Sequence, residues 1–278
     1  MKNIAEYYRS QAGQERYLDA LTKLASPSPN DVVLDVGTGS GTVWRALSNR
    51  VQKICAIDPN KIYIDENEEP AKNLVSNREV LHFNVEFMVL RAEDIGVTFS
   101  ESYFDTAVCW GSVHHFQDYQ KSLKGIQKVS KPGAKLIVFD AFFPEPVRDF
   151  WEFASTIHDP TTVRHHTYFE YMEMLRAIHF TPKIIIPFRH SNNLDNWLDT
   201  INRKDEIIIE EIKNLDPGKY DLWLEKAQKS GKGLRLSLRE DILTLSDEQK
   251  AYMSIKNLGD DDWEFTYDTF VLMAEKGE

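Results

Sequence analysis

The chain has 278 residues, 42% hydrophobic, 28% charged and 12% aromatic, enough apolar material for a sizeable core in one elaborated domain or a domain with a subdomain. A formal net charge of −11 gives no general attraction for phosphate backbones or anionic membrane faces, so neither nucleic acid nor membrane is expected as a partner. The two cysteines, Cys55 and Cys109, sit inside apolar runs as small hydrophobes. With no disulfide framework, zinc spacing or apolar N-terminal segment, the expectation is a cytoplasmic protein in a reducing interior.

Residues 4–25 mix aromatic, charged and apolar positions at helical spacing and stop at Ser26-Pro27-Ser28-Pro29, which cannot continue a helix. With Tyr7, Tyr8 and Tyr17, residues 1–29 read as a helical lid. An alternation follows. Val32 to Val36 is an apolar run, Thr42 to Asn49 a helix, Ile54 to Ile57 a second run, and Lys61 to Asn77 a polar helix despite Pro70. Val85 to Val89 and Phe104 to Trp110 are the third and fourth runs. Asp118 to Val129 is helical in period (Tyr119, Leu123, Ile126, Val129) and is stopped by Lys131-Pro132-Gly133 before the fifth run, Leu136 to Phe139. A helix over Tyr168 to Ile178, with Thr167 as a possible cap, precedes the sixth run, Lys183 to Phe188. Residues 190–262 read as an amphipathic helical insertion (Leu194, Trp197, Leu198, Ile201, then Ile208, Ile209, Ile212, Leu215) covering an acceptor pocket, and Thr269 to Ala274 is the last run. Short β-rich runs separated by helices call for a doubly wound, mostly parallel α/β sheet, with ligands at the carboxyl ends of its strands. The core would then be 30–189 with 263–278.

The turn Asp35-Val36-Gly37-Thr38-Gly39-Ser40-Gly41 leads from the first strand into a helix. Glycines suit a tight turn that a ligand approaches closely. The dinucleotide fingerprint is G-x-G-x-x-G, and here Thr42 occupies its third glycine position. Asp35, two residues before the first glycine, sits awkwardly beside a diphosphate but suits a cationic amino group, such as the methionine end of S-adenosylmethionine. Asp58 closes the second run, 23 residues after Asp35, where an acid can accept from a ribose diol. Asp94 follows the third run, where a carboxylate can accept from an adenine amine. Three acids at three successive strand tips point to a methyl-donor site. A nicotinamide-dependent oxidoreductase is the competing enzyme reading, disfavoured by the glycine spacing; a donor-binding regulator or scaffold is the non-enzyme one.

On VLDVGTGSG, AIDPN, RAEDI, FDTAVCWGSVHHF and KVSKPGAKLIVFD, covering about residues 30–190, the chain resembles class I S-adenosylmethionine-dependent methyltransferases, in particular the ubiquinone- and menaquinone-biosynthesis branch and its small-molecule relatives. The resemblance implies a Rossmann-like seven-stranded sheet whose last strand is antiparallel. It implies that Asp35, Gly37, Thr38 and Gly39 hold the donor, Asp58 and Pro59 its ribose, and Ala92, Glu93, Asp94 and Ile95 its adenine, with Trp110, Gly111 and His115 near the sulfonium. The helix before the sixth strand departs from the pattern, ending at Ile178-His179-Phe180 where the family commonly has a glycine, so a left-handed and slightly strained His179 is expected.

Methyl transfer is an in-line displacement on an activated electrophile, so alignment and exclusion of water carry much of it, and a base is needed only where a proton must leave. The candidate bases are His114 and His115; Asp140 reads as structural. Tyr8, Phe142, Arg164, His165 and Trp197 are candidates for binding a small-molecule acceptor, with Arg164, His165 and His166 as a cationic cluster. No metal site is expected, since the histidines lack ligand spacing. A homodimer is compatible with the sequence.

Overall fold

The computed structural model describes residues 14–76, 84–159, 161–199 and 233–277, with single positions at 218, 221 and 225. Its elements are α1 (Gln14–Ala25), β1 (Val32–Val36), α2 (Thr42–Leu47), β2 (Lys53–Asp58), α3 (Lys61–Ser76), β3 (Val85–Val89), α4 (Ile95–Thr98), β4 (Phe104–Trp110), α5 (Tyr119–Val129), β5 (Ser130–Phe142), α6 (Arg148–His158), α7 (Tyr168–Ala177), β6 (Phe180–Asn193), α8 (Leu234–Leu243), α9 (Asp247–Tyr252), β7 (Lys256–Gly259) and β8 (Asp262–Lys276). The strands run β3-β2-β1-β4-β5-β8-β6, and β7 pairs with β8 beside that path. The path holds the seven expected strands, and β7 is an addition. The pairs β3–β2, β2–β1, β1–β4 and β4–β5 are parallel. Every residue of β1 is buried, as a central strand covered on both faces requires. Among the described residues, no helix is long and apolar enough to cross a membrane.

The chain divides into two compact units. The first takes residues 1–140, 168–186 and 270–278. Its core is Leu34, Ile54, Ile57, Ala107, Val108, Leu136 and Ile137, all fully buried. Asp118 caps α5 by accepting from the Lys121 amide at 2.9 Å, and Lys276 Nζ donates to the Gln127 and Ser130 carbonyls at its other end, 2.7 Å each. The expected stop at Lys131-Pro132-Gly133 lies inside β5. It is a bulge: Phe104 pairs with Ser130 but Thr106 with Lys135, and Gly133 has φ +74°. Helix α1 buries Tyr17 and Leu21. Tyr7 and Tyr8 lie outside the described residues.

The second unit takes 141–167 and 187–269, so it includes a stretch that the sequence-derived boundary at 190 had left in the core. Periodicity explains the difference. Phe143, Val147, Trp151 and Ala154 form a helical stripe that packs with Leu194, Leu198, Leu238, Ile242, Met253 and Phe265. Trp151 is fully buried and stacks on Phe265 with centroids 5.2 Å apart. Residues 194–199 are helical, as expected, while Ile201, Ile208, Ile209, Ile212 and Leu215 lie outside the described residues. Arg239 forks onto Asp195 and Asp261, and the β7–β8 hairpin turns through Asp260 and Asp261, both left-handed.

His179 ends the turn after α7 with φ +60°, and its carbonyl accepts from the Gly277 amide at 2.9 Å. A Cβ in that region costs about 1–2 kcal/mol, offset in part by the added flexibility a glycine gives the unfolded chain. His179→Gly is therefore expected to raise stability by up to about 1 kcal/mol, read as a higher urea midpoint at unchanged slope. A lower midpoint would show that the imidazole makes a contact worth more than the strain.

Candidate functional site

At the carboxyl end of β1 the Gly37 and Thr38 amides both donate to the Ile57 carbonyl of β2, each at 2.9 Å, and the Gly41 amide closes the turn onto the Thr38 carbonyl at 2.8 Å. The three glycines are needed for different reasons. Gly37 has φ +72°, and a Cβ there would lie 2.5 Å from Ser112 Cβ at the tip of β4. Gly41 has φ +82°, and a Cβ there would strike Asn67 Oδ1, Arg45 and Trp44 Nε1. At Gly39 (φ +46°) the nearest heavy atom to a Cβ among the described residues is the Gly37 carbonyl, 3.9 Å away. Two of the glycines therefore serve protein packing, and Gly39 is the one whose bare face suits a ligand.

Asp35 is fully buried. Its Oδ2 accepts from Thr38 Oγ1 at 2.7 Å, and its Oδ1 has no hydrogen-bond partner among the described residues. Burial pushes its carboxyl up to about 7; the Thr38 hydroxyl works against this and the Asp58 charge adds to it. Asp58 accepts the Gly39 amide on Oδ2 and the Asn60 amide on Oδ1, both at 2.9 Å, so the tip of β2 holds the glycine turn directly. Its carboxyl is raised to about 6 by burial, against the pull of those two amides. Pro59 beside it is exposed. Ala92 to Asp94 form a short 3-10 turn running into α4, with Ala92 and Ile95 buried. Glu93 accepts the Asp118 amide at 3.1 Å, and Asp94 is half-exposed with Lys121 Nζ 3.5 Å away.

Beyond β4, Trp110 stacks on Phe139 at 4.7 Å, and Phe139 meets Tyr17 at 5.0 Å. The Gly111 amide donates to the Phe139 carbonyl, and Ser112 Oγ to the Val36 carbonyl, both at 2.7 Å. This ties the β4 tip to β5 and to the glycine turn. Val113 to His115 then form a 3-10 turn in which the His114 and His115 rings lie 4.0 Å apart. His114 Nδ1 is 2.7 Å from Asp140 Oδ1, and Tyr171 on α7 donates to Asp140 Oδ2 at 2.7 Å. Asp140, which the sequence alone made a structural residue, thus contacts a candidate base. Burial raises the Cys55 thiol to about 11 and Cys109 further still, so neither is a ready nucleophile.

The expected acceptor residues divide differently. Tyr8 lies outside the described residues. Phe142, Arg164, His165 and Trp197 all belong to the second unit. Phe142 is half-buried and Arg164 exposed. The cationic cluster is not a shared surface: His165 and His166 are buried, and the His165 amide donates to Glu152 Oε1 at 2.9 Å. Trp197 stacks on His158 at 4.2 Å, nearly parallel, and packs against the second core.

Asn67 was missed. It lies on α3 with Ile64 and Ala71 on the buried face, an amide standing where an apolar residue is expected. Its Nδ2 donates to the Gly39 and Tyr63 carbonyls at 2.7 Å each, and its Oδ1 accepts from Trp44 Nε1 at 2.9 Å and Arg45 at 3.2 Å. All its hydrogen-bonding capacity is used to strap the glycine turn to two helices. Asn67→Ala leaves the half-buried Gly39 carbonyl and the buried Trp44 indole unpaired, so a loss of about 1–3 kcal/mol in urea unfolding is expected. A change under about 0.5 kcal/mol, the size of an ordinary surface substitution, would contradict the strap.

With this geometry in view, comparisons with known proteins give a family. A family model described as a methyltransferase domain matches residues 8–203. The chain is 28% identical over 198 residues to YcgJ of Bacillus subtilis, a protein named only as a methyltransferase, covering 70% of this chain and 75% of that one. The crystal structure of YcgJ superposes with a TM-score of 0.73 at 22% identity, covering 95% of this chain and 99% of YcgJ. The ubiquinone/menaquinone biosynthesis C-methyltransferase UbiE of Wigglesworthia glossinidia brevipalpis is 25% identical over 137 residues, 48% of this chain and 50% of UbiE. The fold also matches a phosphoethanolamine N-methyltransferase of Haemonchus contortus at a TM-score of 0.54 and 18% identity, covering 97% of this chain and 54% of that one. The glycine turn with its acids at the strand tips, and a family match spanning most of the chain, lead to one conclusion: this protein belongs to the methyltransferase-domain family.

Proposed function

We propose that this methyltransferase takes its methyl group from S-adenosylmethionine held at the carboxyl ends of β1 and β2, and passes it to a small-molecule acceptor. The observation that carries the reading is the coupling of Asp58 to Gly39. The acid expected at the ribose is itself bonded to the one glycine of the turn with an open face. Each carboxylate oxygen has a second lone pair, so Asp58 can accept from a diol without releasing the Gly39 or Asn60 amides. Asp35 fits the cationic end of the same ligand, being a buried carboxylate with one oxygen unpartnered among the described residues. That the Haemonchus contortus protein of this fold was crystallised with S-adenosylhomocysteine agrees with the assignment.

When bound, the donor supplies a sulfonium-activated methyl carbon, and the carbon–sulfur bonding pair returns to sulfur as the acceptor takes that carbon. The protein's part is to bind and align. The glycine turn positions the amino-acid end, Asp58 the ribose, and the Ala92–Ile95 turn the adenine side, where Asp94 is the carboxylate within reach of solvent. The Trp110–Phe139 stack sets two half-buried aromatic rings at the β4 tip, where exclusion of water would favour transfer. The overall acidity of the chain favours a small acceptor over a polyanion.

In thermal unfolding, S-adenosylhomocysteine is expected to stabilise the protein and NADH to leave it unchanged; stabilisation by NADH alone would overturn the reading. The pH dependence has a definite sign. A carboxyl raised to about 7 in the fold holds its proton more tightly there than in the unfolded chain. Its contribution to ligand-free stability is full below the ordinary carboxylate range and is lost as pH rises through about 7. Ligand binding runs the other way, since the ammonium group requires the ionised form. Stabilisation by a fixed concentration of S-adenosylhomocysteine should therefore grow between about pH 5.5 and 8, and the growth should shrink in Asp35→Asn. Equal pH profiles in both proteins would remove Asp35 from the donor site.

A further inference from the structure

The strongest unassigned arrangement is the chain of three side chains at the tips of β4 and β5, all within the first unit. His114 Nδ1 lies 2.7 Å from Asp140 Oδ1, and Asp140 Oδ2 accepts from the Tyr171 hydroxyl at 2.7 Å. Asp140 and Tyr171 are buried, while the His114 side chain keeps 16% of its surface exposed. Building on the donor site proposed above, we propose that His114, oriented by Asp140 and Tyr171, is a general base, and that the acceptor is a hydroxyl compound whose O–H proton it removes.

The geometry supports each part. A buried carboxylate is costly unless hydrogen bonds satisfy it, and Asp140 is given one donor on each oxygen. Burial and the neighbouring Asp140 charge hold the Tyr171 hydroxyl well above its ordinary range, so Tyr171 remains a donor rather than a competing base. With Nδ1–H donating to Asp140, the lone pair of neutral His114 is fixed on Nε2. The base also shares a frame with the donor turn. Ser112, two residues before His114, bonds the Val36 carbonyl and fills the space where Gly37 lacks a Cβ. Asp140 follows Phe139, whose carbonyl holds the Gly111 amide.

The need for a base selects the acceptor. A thioether or tertiary amine attacks a methyl sulfonium with no proton to lose, and a neutral amine can lose its proton after the bond forms. A hydroxyl oxygen is a weak nucleophile until its proton leaves. In the balanced step the hydroxyl oxygen forms the bond to the methyl carbon and its proton passes to His114 Nε2. The positive charge moves from sulfonium to imidazolium, which then returns the proton to water. Asp140 and Tyr171 are positioning residues in this scheme, since they act through His114.

The tautomer can be read without turnover. In ligand-free protein labelled with 15N in its histidine rings, neutral His114 is expected to carry its proton on Nδ1, and Asp140→Asn to shift the population toward Nε2–H. An Nε2–H tautomer in the unmodified protein overturns the proposal, and that result needs no variant to fold. In methyl transfer from S-adenosylmethionine to catechol, with dimethyl sulfide as the aprotic control, His114→Gln should reduce catechol methylation by roughly 100-fold or more. Its dissociation constant for S-adenosylhomocysteine should stay within about twofold, because the lost interaction concerns the acceptor proton alone. Equal catechol rates in both proteins, or transfer to dimethyl sulfide but not to catechol, would overturn the base. Failure of the unmodified protein to bind S-adenosylhomocysteine would instead overturn the donor site, leaving the tautomer result to stand by itself.

Discussion

The site depends on how closely the first strand's turn approaches its two neighbours. Gly37 and Thr38 share one carbonyl of β2, Gly39 is held by Asp58, and Gly37 lies against Ser112 where no Cβ fits. These contacts join the tips of β1, β2 and β4 into one rigid edge. Any side chain at Gly37 would have to displace the β4 tip, and with it the turn that carries His114 and His115. Glycine turn and candidate base are therefore set by a single steric constraint, located where parallel sheets of this class bind ligands.

Burial sets the chemistry of the same edge. Asp35 and Asp58 stand on adjacent strands, with carboxyls lifted to about 7 and about 6 by loss of solvent. Without a ligand, that costs stability near neutral pH; a cationic ligand reverses the balance. Asp140, on β5 two strands beyond β1, is satisfied differently, through Tyr171 and His114. The three acids thus divide the work. Two are raised by burial at the glycine turn, and the third is bonded to a histidine.

Most of this was legible where the signal is local. β1, β3 and β4 fall on the residues expected from apolar runs alone; β1 and β4 are central strands, apolar at successive positions, and β3 is the edge strand. The left-handed His179 followed from a missing glycine. Features that depend on tertiary pairing were not legible. Lys131-Pro132-Gly133 looks like the end of an element, yet β5 absorbs it as a bulge. Asn67 looks like one polar residue among many on α3, and its role exists only because Gly39, Trp44 and Arg45 converge on it. The Asp140–His114 bond joins residues that neither spacing nor period relates. The stripe Phe143, Val147, Trp151 and Ala154 lies in a stretch to which the sequence reading assigned no helix, and it builds the second unit's core.

The central claim is that one edge of the sheet holds S-adenosylmethionine through Asp58 and the glycine turn. A crystal structure of the protein with S-adenosylhomocysteine tests it most directly. The account predicts the ribose hydroxyls within hydrogen-bonding distance of the Asp58 carboxylate, with the ammonium group over Gly37 to Gly39. Ligand bound elsewhere on the chain, or a ribose held by side chains other than Asp58, would contradict it.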